Sequence, residues 1–331
     1  MHSQGDLITA NEHQNTDLFW ALRGGGGGTF GVVTRATLRT FDEAPMVVAQ
    51  INISAPTSEN TNYWPAVATF SSYLPRLEDV NCSGYYYMLP NLTFPGLGQV
   101  SAVAAVILCA ERSNTTEVEA LLKPMLDPIR EMAGITVGLK STAYPKTVPA
   151  VTSLLSGGSD TTGNIGILGS RLISRDLLLS KDGPTQLVNA LSQLPANDAE
   201  PFIGHFIAGG QVARNGDQVD SALNPAWRRT AVHLVWTRTW APGASLEDVQ
   251  TIKNQVTHQE VPIFSRLEPS TGAYLNEADA NEANFQESFW GPNYARLRTI
   301  KQKWDATGLF ITRKGVGSED WDDTGLCRLS G

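Results

Sequence analysis

The sequence predicts an α+β chain, and three observations lead there. Hydrophobic residues make up 41% and charged residues 18% of the 331 positions, the composition of a globular protein with room for a sizeable core. β-Branched or alternating segments occur in numbers comparable to amphipathic ones. They do not alternate strictly as strand, helix, strand, so a wholly parallel sheet is not expected. Pro45 then separates a short glycine-rich N-terminal unit from the sheet-forming region. The expected architecture is an antiparallel sheet covered by helices, with a short unit before it and a helical tail after it.

The elements follow in order. Residues 15–23 read as a short helix that Asn15, Thr16 or Asp17 can cap and that the run Gly24–Gly28 stops. Phe30–Phe41 alternates and is rich in β-branched residues, hence a strand. Further strands are expected at Val47–Ile53, Tyr85–Leu89, Val100–Leu108, Thr136–Leu139, Ile165–Leu172, Phe202–Ile207 and Ala231–Trp240. Helices are expected at Thr61–Tyr73, Glu117–Met132, Pro184–Leu194 and Leu246–Thr257. In the tail, Tyr294, Leu297, Ile300 and Trp304 share one helical face, while Arg296, Arg298, Lys301 and Lys303 line the other. Gly308 stops that helix. This reading divides the chain into 1–44, 45–263 and 264–331.

Charge and cysteine usage exclude several classes. The net charge of −8 offers no basic face for a nucleic-acid backbone. The longest apolar run, Val103–Ala110, is far short of the ~20 residues a membrane span needs. Cys82, Cys109 and Cys327 form no CxxC pair and no cluster with zinc spacing, so no metal site is expected; they permit at most one disulfide and read as buried or idle thiols. His205 and His258 read as structural or solvated, and Tyr85, Tyr86, Tyr87, Trp236 and Trp240 as core. Sequons at Asn52, Asn81, Asn91 and Asn114 suggest a glycosylated surface.

The glycine run matches G-x-G-x-x-G at Gly26–Gly31, but a dinucleotide turn must follow a strand and open a helix, and here the order is reversed. A kinase loop fails for want of the following lysine and of HRD and DFG triplets, and a phosphate loop for want of G-K-[ST]. Five residues without Cβ let backbone N–H groups approach a ligand closely, and the apolar flanks Trp20, Leu22, Phe30 and Val32 are unlike those of a linker. A ligand cradle is the expectation.

Asp17-Leu18-Phe19-Trp20-Ala21-Leu22-Arg23-Gly24-Gly25-Gly26 followed by Thr29-Phe30-Gly31-Val32-Val33-Thr34 resembles the second part of the flavin-binding domain in FAD-linked oxidases of the vanillyl-alcohol-oxidase type. Tyr274-Leu275-Asn276-Glu277-Ala278-Asp279 and Phe289-Trp290-Gly291-Pro292-Asn293-Tyr294 resemble the C-terminal berberine-bridge-enzyme-like segment, leaning toward fungal isoamyl alcohol oxidase-like members. The resemblance implies the remnant of an FAD-binding (PCMH-type) domain over 1–44, an α+β substrate domain over 45–263, and a tail over 264–331 that packs back on the FAD domain. It implies FAD as cofactor, hydride transfer from an alcohol, sugar or secondary metabolite, and O2 as electron acceptor. Gly24, Gly25, Gly26, Gly27, Gly28, Thr29, Phe30, Gly31, Val32 and Val33 would contact FAD. Asn293 and Tyr294 would lie near the flavin head, and a Tyr274–Glu277 strand would wall the substrate site.

Many relatives carry tyrosine at the fourth place of Tyr-x-Asn-Tyr, where this chain has Glu277. A free carboxylate is ionised at neutral pH, whereas a phenol near ~10 needs tuning. Glu277 is therefore expected to act as general base, with Tyr274 hydrogen-bonding the substrate. The family's Ser-Gly-Gly-His loop and attachment cysteine do not occur in this sequence, so the resemblance implies a chain starting inside the flavin domain and binding FAD weakly or not at all by itself, with the full-length form secreted. A non-catalytic, small-molecule-binding relative is the alternative; a secreted adhesive domain rests on the sequons alone.

Overall fold

A computed structural model of the chain describes residues 1–56, 61–94, 98–155, 165–196, 200–216, 218–322 and 324–329. Its centre is one seven-stranded sheet in the order β4-β1-β3-β2-β6-β7-β5, antiparallel at every pairing. The strands are β1 (Met46–Pro56), β2 (Cys82–Phe94), β3 (Gly98–Ala110), β4 (Thr136–Tyr144), β5 (Gly166–Ser174), β6 (Phe202–Phe206) and β7 (Thr230–Thr239). All seven expected strands from Val47 onward are present, and the α+β class holds.

Alternation gives this sheet two unlike faces. Ile51, Ile53, Tyr86, Met88, Ile107, Phe202 and Phe206 point into the main core. There they meet α2 (Tyr63–Glu78), α3 (Thr115–Arg130), α6 (Gly183–Leu191) and α9 (Val261–Leu267). On the opposite face α4 (Thr147–Leu155) covers Met46 and Val48. Of the aromatics read as core, Tyr86 and Trp236 are buried, but Tyr85 and Tyr87 each keep 44% of their surface exposed on that opposite face. Cys82 and Cys109 sit directly across the β2–β3 ladder and are joined in a disulfide, correcting the expectation of idle thiols; Cys327 is free and exposed.

A second core gathers residues far apart in sequence. Leu18, Trp20, Ala21 and Phe30 pack with Ala273, Phe285, Phe289, Trp290, Leu297, Ile300 and Val316. These come from α1 (Thr16–Leu22), α10 (Phe285–Trp290) and α11 (Tyr294–Trp304) with their flanking loops. The remaining helices are α5 (Arg175–Leu179), α7 (Gly210–Arg214) and α8 (Leu246–Gln255).

Three local expectations fail. Phe30–Phe41 is not a strand: among the described residues its backbone pairs only with Met1, at Val32, and Val33, Leu38 and Phe41 are 61%, 82% and 84% exposed. Alternation supplies a strand's faces, but a ladder needs a neighbouring backbone. Of the three candidate caps, Asn15 stands in the left-handed region and makes no side-chain cap, and it is Asp17 Oδ1 that accepts a first-turn amide, from Leu18 at 2.9 Å. Lys301 is not on a solvated face of α11; it is buried at 2%.

One buried acid ties α2 to the loop before α7. Glu78 Oε2 accepts from Arg175 at 3.0 Å and Oε1 from the Gly209 amide at 3.2 Å, while Arg175 also grips the exposed Asp79. Burial outweighs these partners and pushes Glu78 up to about 7. A carboxyl raised on folding contributes stability that is full below its ordinary value and lost as pH rises through about 7. Wild-type protein should therefore lose on the order of 3 kcal/mol between pH 4.5 and 8 that Glu78→Gln retains. Thermal unfolding at both pH values checks this; parallel pH slopes for the two proteins would refute it.

Candidate active site

Three rings line up across the open face of the sheet because register puts them side by side. Tyr85 of β2 pairs with His205 of β6, which pairs with His233 of β7. Their rings follow at centroid distances of 5.0 and 5.3 Å, both edge-on.

The cover over this floor comes from the tail. Leu172 of β5 donates its amide to the Gly272 carbonyl, and Ala273 donates to Ser288, so residues 272–277 are pinned over β5 and β7. Gly272 has φ +151 and a Cβ there would lie 2.2 Å from the Ser288 carbonyl oxygen, so only glycine lets the segment lie this close. The expected Tyr274–Glu277 strand is instead an extended Tyr274 followed by a single 3₁₀ turn, Leu275–Glu277, because its backbone has no ladder to join. That turn brings the Glu277 carboxylate down onto the histidines. Glu277 Oε2 lies 3.5 Å from Nδ1 of both His205 and His233. Tyr274 packs edge-on against His233 and Trp227, and its hydroxyl accepts from Asn276 Nδ2.

The cavity so formed has about 380 Å³ and is lined by these groups with Ile207, Ala208, Val212 and Leu223. Among its described lining residues Glu277 is the only acid, and none is lysine or arginine. Burial pushes the His233 imidazole down to about 3, with His205 adding to the effect. Burial also lowers His205, against the pull of Glu277. Burial thus disfavours the protonated form of both rings.

A second cavity of about 380 Å³ adjoins the first. Its walls are Gly24, Gly26, Gly27, Gly28, Thr29, Phe30, Gly31 and Val33 on one side and Tyr274, Leu275, Asn276, Phe289 and Trp290 on the other. The two cavities share Leu223, Trp227 and Tyr274. Gly24, at φ +130, presses on Leu223, where a Cβ would come within 2.2 Å of the backbone nitrogen. Trp290 Nε1 donates to the Gly24 carbonyl at 3.0 Å, and Lys301 Nζ to that of Thr29 at 2.7 Å. The glycine run and the tail thus meet.

Four of the residues expected at the cofactor do not line this cavity. Gly25 backs onto Leu297 and Phe30, and Val32 faces a neighbouring crevice beside Met1. Asn293 donates to the Leu223 carbonyl at 2.9 Å, so it braces the shared wall from behind. Tyr294 donates its hydroxyl to Glu319, and burial together with that carboxylate pushes its pKa up. His205, read as structural or solvated, and His233 are the residues sequence reasoning missed. Each lies on a correctly read strand, but only the pairing register shows that they are neighbours. His258, by contrast, is exposed on the π-turn after α8.

The profile described as "Berberine and berberine like" matches residues 273–317, the segment that covers the cavity. An uncharacterized FAD-linked oxidoreductase of Arthroderma benhamiae is 46% identical over 97% of this chain and 55% of its own length. FAD-linked oxidoreductase malF of Malbranchea aurantiaca is 38% identical over 98% and 53%. The chain therefore spans about half the length of the curated relatives it matches. Among solved structures, the VAO-type flavoprotein MtVAO713 of Myceliophthora thermophila superposes with a TM-score of 0.88 at 27% identity, over 97% of this chain and 56% of that one. Motifs at both ends, sheet topology and these likenesses agree: over nearly its whole length the chain is similar to FAD-linked oxidoreductases, with a berberine-like segment at 273–317 and the fold of a VAO-type flavoprotein.

Proposed function

We propose that this chain carries the substrate cavity and proton-handling groups of an FAD-dependent oxidoreductase acting on an alcohol of an apolar secondary metabolite. The observation that carries the reading is the shared lining: Leu223, Trp227 and Tyr274 border both a glycine-rich cradle and the cavity into which the Glu277 carboxylate reaches. The cradle fits a flat cofactor ring. A Cβ at Gly27 would meet no atom within 4 Å, and Phe289 and Trp290 offer aromatic surfaces opposite. Gly26, Gly27, Gly28 and Thr29 would hold FAD through the backbone. When bound, FAD supplies the acceptor for a substrate hydride, and O2 takes the electrons on as hydrogen peroxide.

In the adjoining cavity Glu277 takes the substrate hydroxyl proton at Oε2, and the imidazoles of His205 and His233 flank that oxygen at 3.5 Å. Tyr274 bounds the site and holds the substrate body. Beyond the hydroxyl the lining is chiefly aromatic and aliphatic. Such a surface rewards an apolar body and leaves a sugar's many hydroxyls without partners. Anaerobic mixing with the flavin-loaded protein tests this: benzylic or allylic alcohols should bleach the flavin absorbance and oligosaccharides should not. Bleaching by sugars alone would overturn the substrate class. Tight binding of every alcohol tried, without bleaching, would favour a non-catalytic binding protein.

A further inference from the structure

Three potential ligand groups converge at the floor of the substrate cavity: His205, His233 and Glu277, each offering one ligand atom within 4.8 Å of the others. Both nitrogen-to-oxygen separations are 3.5 Å, too long for strong hydrogen bonds. They are close to the edge, ~3.4 Å, of a tetrahedron with metal–ligand bonds of ~2.1 Å. The donor set is two imidazoles and one carboxylate, the His2Glu combination that holds zinc with a fourth position open. Here the open position faces the cavity. Two of the three ligands stand on adjacent paired strands, so the backbone holds their spacing. Only Glu277, 39% exposed on its 3₁₀ turn, has freedom to adjust.

We propose that His205, His233 and Glu277 form a reversible binding site for one Zn²⁺, which ties up the carboxylate oxygen assigned as the base. The site lacks one reinforcement. His233 Nε2 is buried and has no hydrogen-bond partner, so no outer carbonyl or carboxylate raises this ligand's basicity. Affinity should therefore be micromolar, below that of closed structural zinc sites. Metal binding itself does not depend on the oxidoreductase reading; only its inhibitory consequence does.

The test is titration of the metal-free protein with Zn²⁺ by calorimetry, with Co²⁺ as the optical probe. The expected result is one equivalent bound and the visible absorption of tetrahedral cobalt. Loss of an outer partner alone weakens metal sites about 10–100-fold, so removal of a ligand by His205→Asn or Glu277→Gln should weaken binding at least about 100-fold. Both variants change part-exposed residues and should leave thermal unfolding near the wild-type midpoint, whereas the buried His233→Asn is the less secure test of folding. His258→Ala should bind as the wild type does. Undiminished binding in His205→Asn and Glu277→Gln, or no bound equivalent at millimolar Zn²⁺, would overturn the proposal. One equivalent bound through these ligands with unchanged flavin reduction would uphold the metal site and overturn the base assignment.

Discussion

Glu277→Gln should lower the rate of substrate-dependent flavin reduction by about 100- to 10,000-fold, the range that a positioned general base contributes. Glutamine keeps the shape of the side chain and its hydrogen-bonding reach but cannot accept the hydroxyl proton. Because the described lining of the cavity holds no second carboxylate and burial disfavours the protonated form of both its imidazoles, no neighbour takes over the role easily. Rapid mixing under anaerobic conditions isolates the half-reaction. The flavin spectrum and substrate affinity should stay close to wild type, which separates lost proton transfer from lost binding. An unchanged reduction rate would remove Glu277 from the mechanism.

Lys301→Met should be the most damaging single change to the architecture around the cradle. The ammonium group is buried and donates to Asp305 Oδ2 at 2.6 Å, to the Thr29 carbonyl at 2.7 Å and to the Phe310 carbonyl at 2.5 Å. Burial lowers the Lys301 pKa, while Asp305 supports the charged form. Burial raises Asp305, but Lys301 and the amides of Phe310 and Leu309 hold its carboxyl below the ordinary range. Removing one partner of such a pair strands the other, at a cost of about 3–5 kcal/mol. A chain of this size should then lose roughly 4–7 °C of melting temperature. Adding Asp305→Leu should restore much of that loss, because the stranded charge goes too. The same variant frees the Thr29 carbonyl, so flavin uptake should weaken together with stability. A midpoint within about 2 °C of wild type would show that the pair does not anchor the glycine run.

Local pattern made much of this protein legible. The strands from Val47 to Trp240 were readable because alternation and β-branching are properties of a few adjacent residues, and each segment found a ladder. Phe30–Phe41 carries the same pattern and forms no strand, since hydrogen-bonding partners are not written into the segment itself. Lys301 shows the matching limit for helices. Helical spacing put it opposite Leu297 and Ile300, yet the glycine run and Asp305 cover that side as well and give the charge internal partners.

The candidate site divides in the same way. Residue types and motifs alone singled out the glycine run and the tail segment from Tyr274 to Glu277, because each reads within a dozen neighbouring positions. The arrangement that makes them a site came only from tertiary structure. Strand register set His205 beside His233, one 3₁₀ turn lowered Glu277 onto both, and Trp290 and Lys301 closed the tail on the glycines. The physical reason is that periodicity records which face of an element is apolar, whereas the meeting of two elements depends on the packing of everything between them.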